Sequence, residues 1–372
     1  MNRVLGICNL HDSPSLGQLT KNRPLGALTF LSRYALMDFT LSNFSNSGID
    51  RVMILTENNM AAVSSHTQQG HVWINNTKTG YMRVVMNEKL IDSSKFNTDI
   101  ANIESHYVIV RDANPEYIIV APTFFLMSFD FRKIVEFHEE NGAQITCLYV
   151  KTKNGKKEFL NCDSLEIAKN HVITNSKANV GDENNQNISL EAFVFTRKAF
   201  DEILELSHQV SSLYNLRKMI SFVINHHRMV VHAYEFKGYV VPILSANDYV
   251  NKSFELLAYE NRQKLFLEDW PIYTTTHNTP PALYGPNAKV KNCIVGNGAI
   301  VKGKVENSVI SRDVVIEEGA VIKNCILFSK THVGENVQME YVLADKGVQI
   351  EETKKLEGEK EKVFIIKQGE RI

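Results

Sequence analysis

The sequence predicts two structural parts in series: an α/β domain built on a mostly parallel sheet, then a parallel β-helix. Three observations carry this. Strand-like and helix-like patterns alternate through the first two thirds of the 372 residues. An aliphatic residue then recurs every six positions. Between them runs an extended, proline-bearing stretch, Trp270-Pro271-Ile272-Tyr273-Thr274 with Pro280-Pro281. A prior of about 150 residues per domain agrees with such a division. The boundaries read from the sequence are 1–246 for the front domain, 247–284 for a helix and linker, and 285–372 for the β-helix.

In chain order, Val4-Ile7 reads as a short apolar strand. Residues 32–47 read as a helix, with Tyr34, Leu36, Met37, Leu41 and Phe44 at three- and four-residue spacing and Gly48 as its stop. Arg51–Thr56, Tyr107–Val110, Tyr117–Ala121, Ile145–Val150 and Glu191–Thr196 read as strands. Phe131–Glu140 reads as a helix stopped by Gly142, and 248–267 as helical. Alternation of this kind argues for a covered, mostly parallel sheet.

The last third is a repeat. Ile310, Ile316, Ile322 and Phe328 lie six apart, and Leu327, Val333 and Met339 form a neighbouring register. Val295 and Val301 keep the spacing upstream, with a slip of three residues near Glu306-Asn307. Gly, Asn and Asp fill the corners. Each short strand points one aliphatic residue inward, and stacked coils bury the column.

Composition excludes several function classes. Lys+Arg is 41 and Asp+Glu 42, a net charge of −1, so there is no basic excess for nucleic acid. No apolar run approaches the roughly 18 residues of a membrane span. Met1-Asn2-Arg3-Val4 opens no secretion signal. Five scattered cysteines, Cys8, Cys147, Cys162, Cys293 and Cys325, form no CxxC pair, which argues against a disulfide framework or a zinc site and suits a reducing cytoplasm.

The block Tyr34-Ala35-Leu36-Met37-Asp38-Phe39-Thr40-Leu41-Ser42-Asn43, then Asn46-Ser47-Gly48-Ile49, resembles a signature of the sugar-1-phosphate nucleotidyltransferases, most closely the bacterial glucose-1-phosphate adenylyltransferases (ADP-glucose pyrophosphorylases). The Trp270–Thr274 linker and the β-helix resemble the same family, in the same order. The resemblance implies a Rossmann-like, GT-A-like front domain, a left-handed β-helix and a role in ADP-glucose synthesis for glycogen.

That family holds nucleotide phosphates on a glycine-rich loop with an arginine, because bare backbone N–H groups approach phosphate closely. Here the loop reads Asn9-Leu10-His11-Asp12-Ser13-Pro14-Ser15, with Ser15 in the arginine's place. Leu25 stands for the family's phosphate-contacting lysine. Two family aspartates hold Mg²⁺, a hard cation that needs anionic oxygens; Thr123 and Pro242 stand in their places. No Glu-Lys-Pro sugar-phosphate element precedes Glu191. The expectation is a chain with no catalytic residues, no metal and no cofactor. The resemblance implies a non-catalytic regulatory subunit of the D type, expected to pair with a catalytic subunit in a heterotetramer, or with itself when alone. Leu10, Leu25 or Phe124 is expected to fill the nucleotide space. Competing readings are an active nucleotidyltransferase with rebuilt metal ligands and a hexapeptide acyltransferase using His332.

Other residues stay open between a functional and a plain reading. Lys21, Arg23 and Arg33 are either contacts for a phosphorylated effector or surface charges. His226-His227 with His232 is a metal group only if the three converge, and adjacent histidines diverge. His11 and Asp12 read as solvated loop residues, or as a new ion contact. Glu351–Lys362 reads as a solvated loop before a last strand, Val363–Lys367.

Overall fold

A computed structural model describes residues 3–87, 96–351 and 354–372. Met1-Asn2 of the N-terminal reading and Glu352-Thr353 of the charged run lie outside the described residues. The front domain is a nine-stranded mixed sheet. Its parallel core runs Tyr81–Met86, Arg51–Thr56, Val4–Asn9, Tyr117–Pro122 in spatial order. Gln186–Thr196 continues it antiparallel, and Ile145–Thr152 with Val231–Glu235 completes that edge. Val4–Asn9 and Tyr117–Pro122 are buried almost throughout, as strands covered on both faces must be. Among the described residues, no helix is long and apolar enough to cross a membrane.

The structure differs from the sequence reading in several elements, each for a local reason. The helix of 32–47 starts only at Met37 and ends at Asn46. Before it, Leu31 and Ser32 take positive φ (44° and 69°), and Thr29–Phe30 pairs back on Tyr34–Ala35 as a small hairpin. Tyr107–Val110 is not a strand but the start of the helix Tyr107–Ala113. Its β-branched run favours extension, yet Ile109, Val110 and Ala113 bury one helical face, and packing overrides propensity. The segment 248–267 is two helices, Ala246–Glu255 and Tyr259–Leu265. The Arg262 guanidinium donates to the carbonyls of Leu256 (3.1 Å) and Leu257 (2.7 Å) and holds the break.

The β-helix has three faces, each a five-stranded parallel sheet. Val301 pairs with Ile316 and Ile316 with Val333, offsets of 15 and 17 residues, so corners are trimmed from a full eighteen. One interior column is Val301, Ile316, Val333, Ile350; a second is Val305, Ile322, Met339, Leu356; the third is Ile310, Leu327, Ala344, Ile366. The two registers seen in the sequence are thus one winding. Phe328 falls out of it: the shortened side puts Leu327 inward and Phe328 outward, against the front domain. The β-helix also starts earlier than 285, at strand Leu283–Tyr284. Part of the charged run is a strand too, Lys355–Glu357, with Leu356 pointing inward.

Two sets of contacts join the parts. The helix Met37–Asn46 grips the linker. Asn43 Nδ2 donates to the Met127 carbonyl (2.9 Å), while its Oδ1 accepts from Phe129 N–H (3.1 Å) and Trp270 Nε1 (2.8 Å). Ser42 Oγ accepts from Tyr273 N–H (2.8 Å), and Asn46 donates to the Pro271 carbonyl (2.9 Å). At the second joint, Phe328 meets Tyr249 edge-on at 6.2 Å. Arg23 lies over the Phe328 ring and pairs with the buried carboxylate of Asp345.

Two predictions follow from these joints. Asn43→Leu strands a buried N–H and a buried carbonyl, and each such orphan costs about 1–3 kcal/mol. We expect a loss of about 3 kcal/mol in urea unfolding; a loss below about 1 kcal/mol would show that the clamp is dispensable. Asp345→Asn leaves Arg23 buried without a counter-charge. The expected cost is about 3 kcal/mol, with Arg23→Met/Asp345→Leu recovering much of it. Equal losses in the single and double variants would refute that account.

Candidate functional site

In an open α/β sheet, ligands bind beyond the carboxyl ends of the parallel strands. Here those ends are Asn9, Thr56 and Pro122, and the region beyond them is closed. Leu10, Leu25 and Phe124 are all buried there. Gly26 packs so tightly that an added Cβ would sit 2.8 Å from Leu10 Cγ and 2.9 Å from Thr123 Oγ1, so only glycine fits. What is left is a cavity of ≈ 20 Å³, about the size of one water.

Three of the four replaced positions converge on this floor. Leu25 lies in the short turn beside Gly26. Thr123 is fully buried, and among the described residues its hydroxyl has no hydrogen-bond partner. Pro242 pairs with Phe125 in a two-stranded ladder that Ile243 N–H extends to the Phe124 carbonyl (2.8 Å), next to Thr123. Ser15 stays apart, on the exposed rim, where its Oγ accepts from Gly17 N–H. A neutral hydroxyl and a proline do not fit Mg²⁺, which takes anionic oxygens. Among the described residues no three His, Cys, Asp or Glu converge on a possible metal position.

Carboxylates do surround the small cavity, each engaged by the protein itself. Asp99 accepts from Asn9 Nδ2 (2.8 Å), Leu216 N–H (2.9 Å) and Ile100 N–H (2.8 Å). Glu191 sits at a bulge of its strand, with φ of 53° and a register shift between Ser189 and Phe193. Its buried carboxylate faces Arg217 Nη1 at 3.1 Å, and Arg217 also forks onto Asp163 (2.8 Å for both bonds). Burial pushes Glu191 up to about 7, against the pull of Arg217 and with the push of Asp163. Burial, with Asp99 adding to it, raises Asp12, which stays partly in solvent as the sequence suggested. His11 does not: it is buried against Asn102 (2.9 Å), and burial lowers its pKa.

A second cavity, ≈ 540 Å³, opens between the front domain and the β-helix. Arg23, Arg33, Arg312, Lys330 and Lys346 line it, and Asp313 is the one acid among the lining residues. Arg23 is committed to Asp345, which corrects its reading as a free effector contact or a plain surface charge. Lys21 is exposed and outside the lining. Arg33 belongs to it, stacked over Tyr34, while its carbonyl accepts from Arg312 Nη2 (3.2 Å). Burial and the nearby Arg33 both lower the Arg312 pKa. Sequence reading missed Arg312, Lys330 and Lys346. They occupy one corner of successive coils, where Lys330 N–H donates to the Arg312 carbonyl and Gly347 N–H to the Ser329 carbonyl. A search for cations one coil apart would have found them. His66, also in the lining, sets Nε2 2.6 Å from Oδ1 of the buried Asp38.

The remaining candidates do not assemble. His226 stacks on Phe222 (4.2 Å), His227 caps the helix end at φ 51°, and His232 lies on the strand beyond. His332 sits on an outer face of the β-helix between Glu317 (3.6 Å) and Glu351 (3.8 Å).

Comparison with known proteins agrees with both halves. Residues 15–159 match the nucleotidyl transferase family, and residues 282–362 match the GlmU-like C-terminal hexapeptide family. The latter, with three parallel sheets, gives the left-handed β-helix class. A glucose-1-phosphate adenylyltransferase of Fervidobacterium nodosum is 30% identical over 87% of this chain and 77% of its own. Another, from Bacillus cytotoxicus, is 24% identical over 95% of each. The glycogen biosynthesis protein GlgD of Bacillus subtilis is 26% identical over 99% of this chain and 96% of its own. The match to the Fervidobacterium enzyme, over most of both chains, makes the chain a member of the glucose-1-phosphate adenylyltransferase family.

Proposed function

We propose that the chain is a non-catalytic regulatory subunit of glucose-1-phosphate adenylyltransferase, acting in the cytoplasm on a catalytic partner that makes ADP-glucose for glycogen. The observation that carries this is the closed floor. Leu10, Leu25 and Phe124 fill the strand ends, and the two positions expected to grip a metal are Thr123 and Pro242. Nucleotidyl transfer develops negative charge that must be neutralised, and a site without carboxylates at the two metal positions, lysine or glycine cradle forfeits that stabilisation. The alternative with rebuilt metal ligands finds no support in the carboxylates present, since Asp99 and Glu191 are engaged by backbone N–H groups and Arg217. The acyltransferase alternative finds none either, because His332 faces two glutamates.

Regulation needs a place for an effector, and the interdomain cavity supplies one. Its cations come from both the front domain and the β-helix, so an anion bound there bridges them and favours one arrangement of the two. The coupling to a partner expected of such a device is about 1–3 kcal/mol.

Three tests follow. With ATP, glucose 1-phosphate and Mg²⁺, the purified chain should turn over at least a thousandfold below an ordinary rate of about 1 s⁻¹; a rate near that value overturns the proposal. Mixed with a catalytic homologue, it should form a hetero-oligomer with altered kinetics. Arg312→Ala with Lys346→Ala should abolish any response of the mixture to inorganic phosphate while the assembly persists. A mixture whose size and rate equal those of its parts refutes the regulatory role.

The closed cleft also predicts a pH dependence. The folded value of Glu191, about 7, lies above that of an unfolded glutamate. The stabilisation is therefore complete below the unfolded value and is lost as pH rises through about 7. Urea midpoints should fall between about pH 4.5 and about pH 7, and Glu191→Gln should remove most of that fall. Parallel curves for both proteins would assign the titration elsewhere.

A further inference from the structure

The far edge of the front sheet carries another cavity, ≈ 600 Å³, unrelated to the strand ends or the interdomain joint. It opens between the edge strand Val231–Glu235, the start of helix Phe131–Glu140 and the turn Phe236–Gly238. Phe129 and Tyr149 are buried at its floor. Phe137, Tyr234 and Phe236 are half-buried and form its walls. The rings brace one another edge to face: Phe137 with Tyr234 at 5.3 Å and 66°, and Phe129 with Phe236 at 5.4 Å and 86°. Walls braced in this way keep their half-exposed faces available without collapsing onto each other.

The rim is polar and balanced. Lys133 and Lys237 are exposed, and no ion pair engages either among the described residues. Beside them stand two carboxylates held in place by other residues. Asp130 is gripped by Arg132 (2.8 Å to each oxygen), and Glu235 by Lys151 (2.7 Å) and the Tyr149 hydroxyl (3.4 Å). Carboxylate oxygens have more than one lone pair, so each can still accept from a ligand. The Tyr234 hydroxyl has no protein partner among the described residues.

We propose that this cleft binds a neutral pyranose oligosaccharide. A pyranose has an apolar C–H face, which packs on aromatic rings, and an equator of hydroxyls, which need both acceptors and donors. The walls supply the rings, Asp130 and Glu235 the acceptors, and Lys133, Lys237 and the Tyr234 hydroxyl the donors. Among the lining residues Lys133 and Lys237 stand with Asp130 and Glu235, and Arg132 and Lys151 pair those two carboxylates from outside the cleft. The volume falls in the range of small-ligand sites, about 300–1,000 Å³, with room for more than one sugar ring. The site stands whether or not the chain is catalytic.

Calorimetric titration of the full chain with maltoheptaose and, separately, cellohexaose tests the proposal, with ADP as the anionic control. Maltoheptaose is the natural first probe, being a short form of the α-linked chain that the proposed route supplies. Binding of either oligosaccharide with Kd near 1 mM, about −4 kcal/mol, supports the site. Tyr234→Leu fills most of the same space but removes the ring and hydroxyl. It should weaken binding at least tenfold, about 1.4 kcal/mol, with the unfolding midpoint little changed. Lys237→Ala, on the exposed rim, gives a second reading should the first variant fold poorly. No binding of either sugar at 10-fold that concentration overturns the proposal, and so does unweakened binding in both variants. Preferential uptake of ADP quenched by the same variants overturns the sugar class.

Discussion

The carboxamide of Asn43 is the contact on which the arrangement of the two domains depends. One oxygen and one nitrogen satisfy the Phe129 N–H, the Met127 carbonyl and the Trp270 indole at once. The first two belong to the stretch that follows the strand Tyr117–Pro122, and the third to the linker. A single buried side chain therefore ties the floor of the cleft region to the route by which the chain leaves the front domain. Ser42 and Asn46, one residue before and three after, extend the grip along the same helix to Tyr273 and Pro271. Buried polar groups are tolerated only when satisfied, and here the satisfaction is mutual across elements far apart in sequence. The linker has no regular structure of its own to hold it, so its path is set by these bonds.

Along that path, the β-helix meets the front domain at a second joint. Phe328 enters where Tyr249 and Arg23 wait for it, and Asp345 neutralises the arginine. Removing the eighteenth residue of the coil is what makes this possible. A strict six-residue repeat would have turned Phe328 inward and left the joint without its ring. The irregularity in the repeat is thus a feature of the interface.

Much of this was legible in the sequence, and the failures are instructive. The six-residue period, the alternation of elements and the Asp38–Asn46 block all carried their meaning, because each reflects a local rule with a fixed spacing. Tyr107–Val110 misled because its β-branched run obeys propensity, while Ile109, Val110 and Ala113 obey the core. The hairpin before Met37 was hidden by two positive-φ residues, Leu31 and Ser32, that composition does not betray. Arg23 read as a free cation because its partner, Asp345, lies more than three hundred residues away. His11 read as solvated for the same reason: Asn102, which receives it, belongs to another element. Long-range pairing is where a single sequence is least informative, since nothing in the local pattern records the partner.

The separation of the two kinds of residue bears on what the chain can have become. Asn43, Ser42, Arg23, Asp345 and the β-helix columns act through packing and hydrogen bonds that need no ligand. The positions at the strand ends contribute nothing to those joints: Thr123 carries an unsatisfied hydroxyl, and Ser15 sits in solvent. Apolar filling at Leu10, Leu25 and Phe124 removes water from a crevice that would otherwise expose strand ends, and burial of this kind stabilises by roughly 25 cal/mol per Å². A front domain closed in this manner is a firmer platform than an open one. For a proposed partner-biasing subunit that is the useful property, since a rigid body transmits a shift at the interdomain cavity to its outer surface without dissipating it in a mobile cleft.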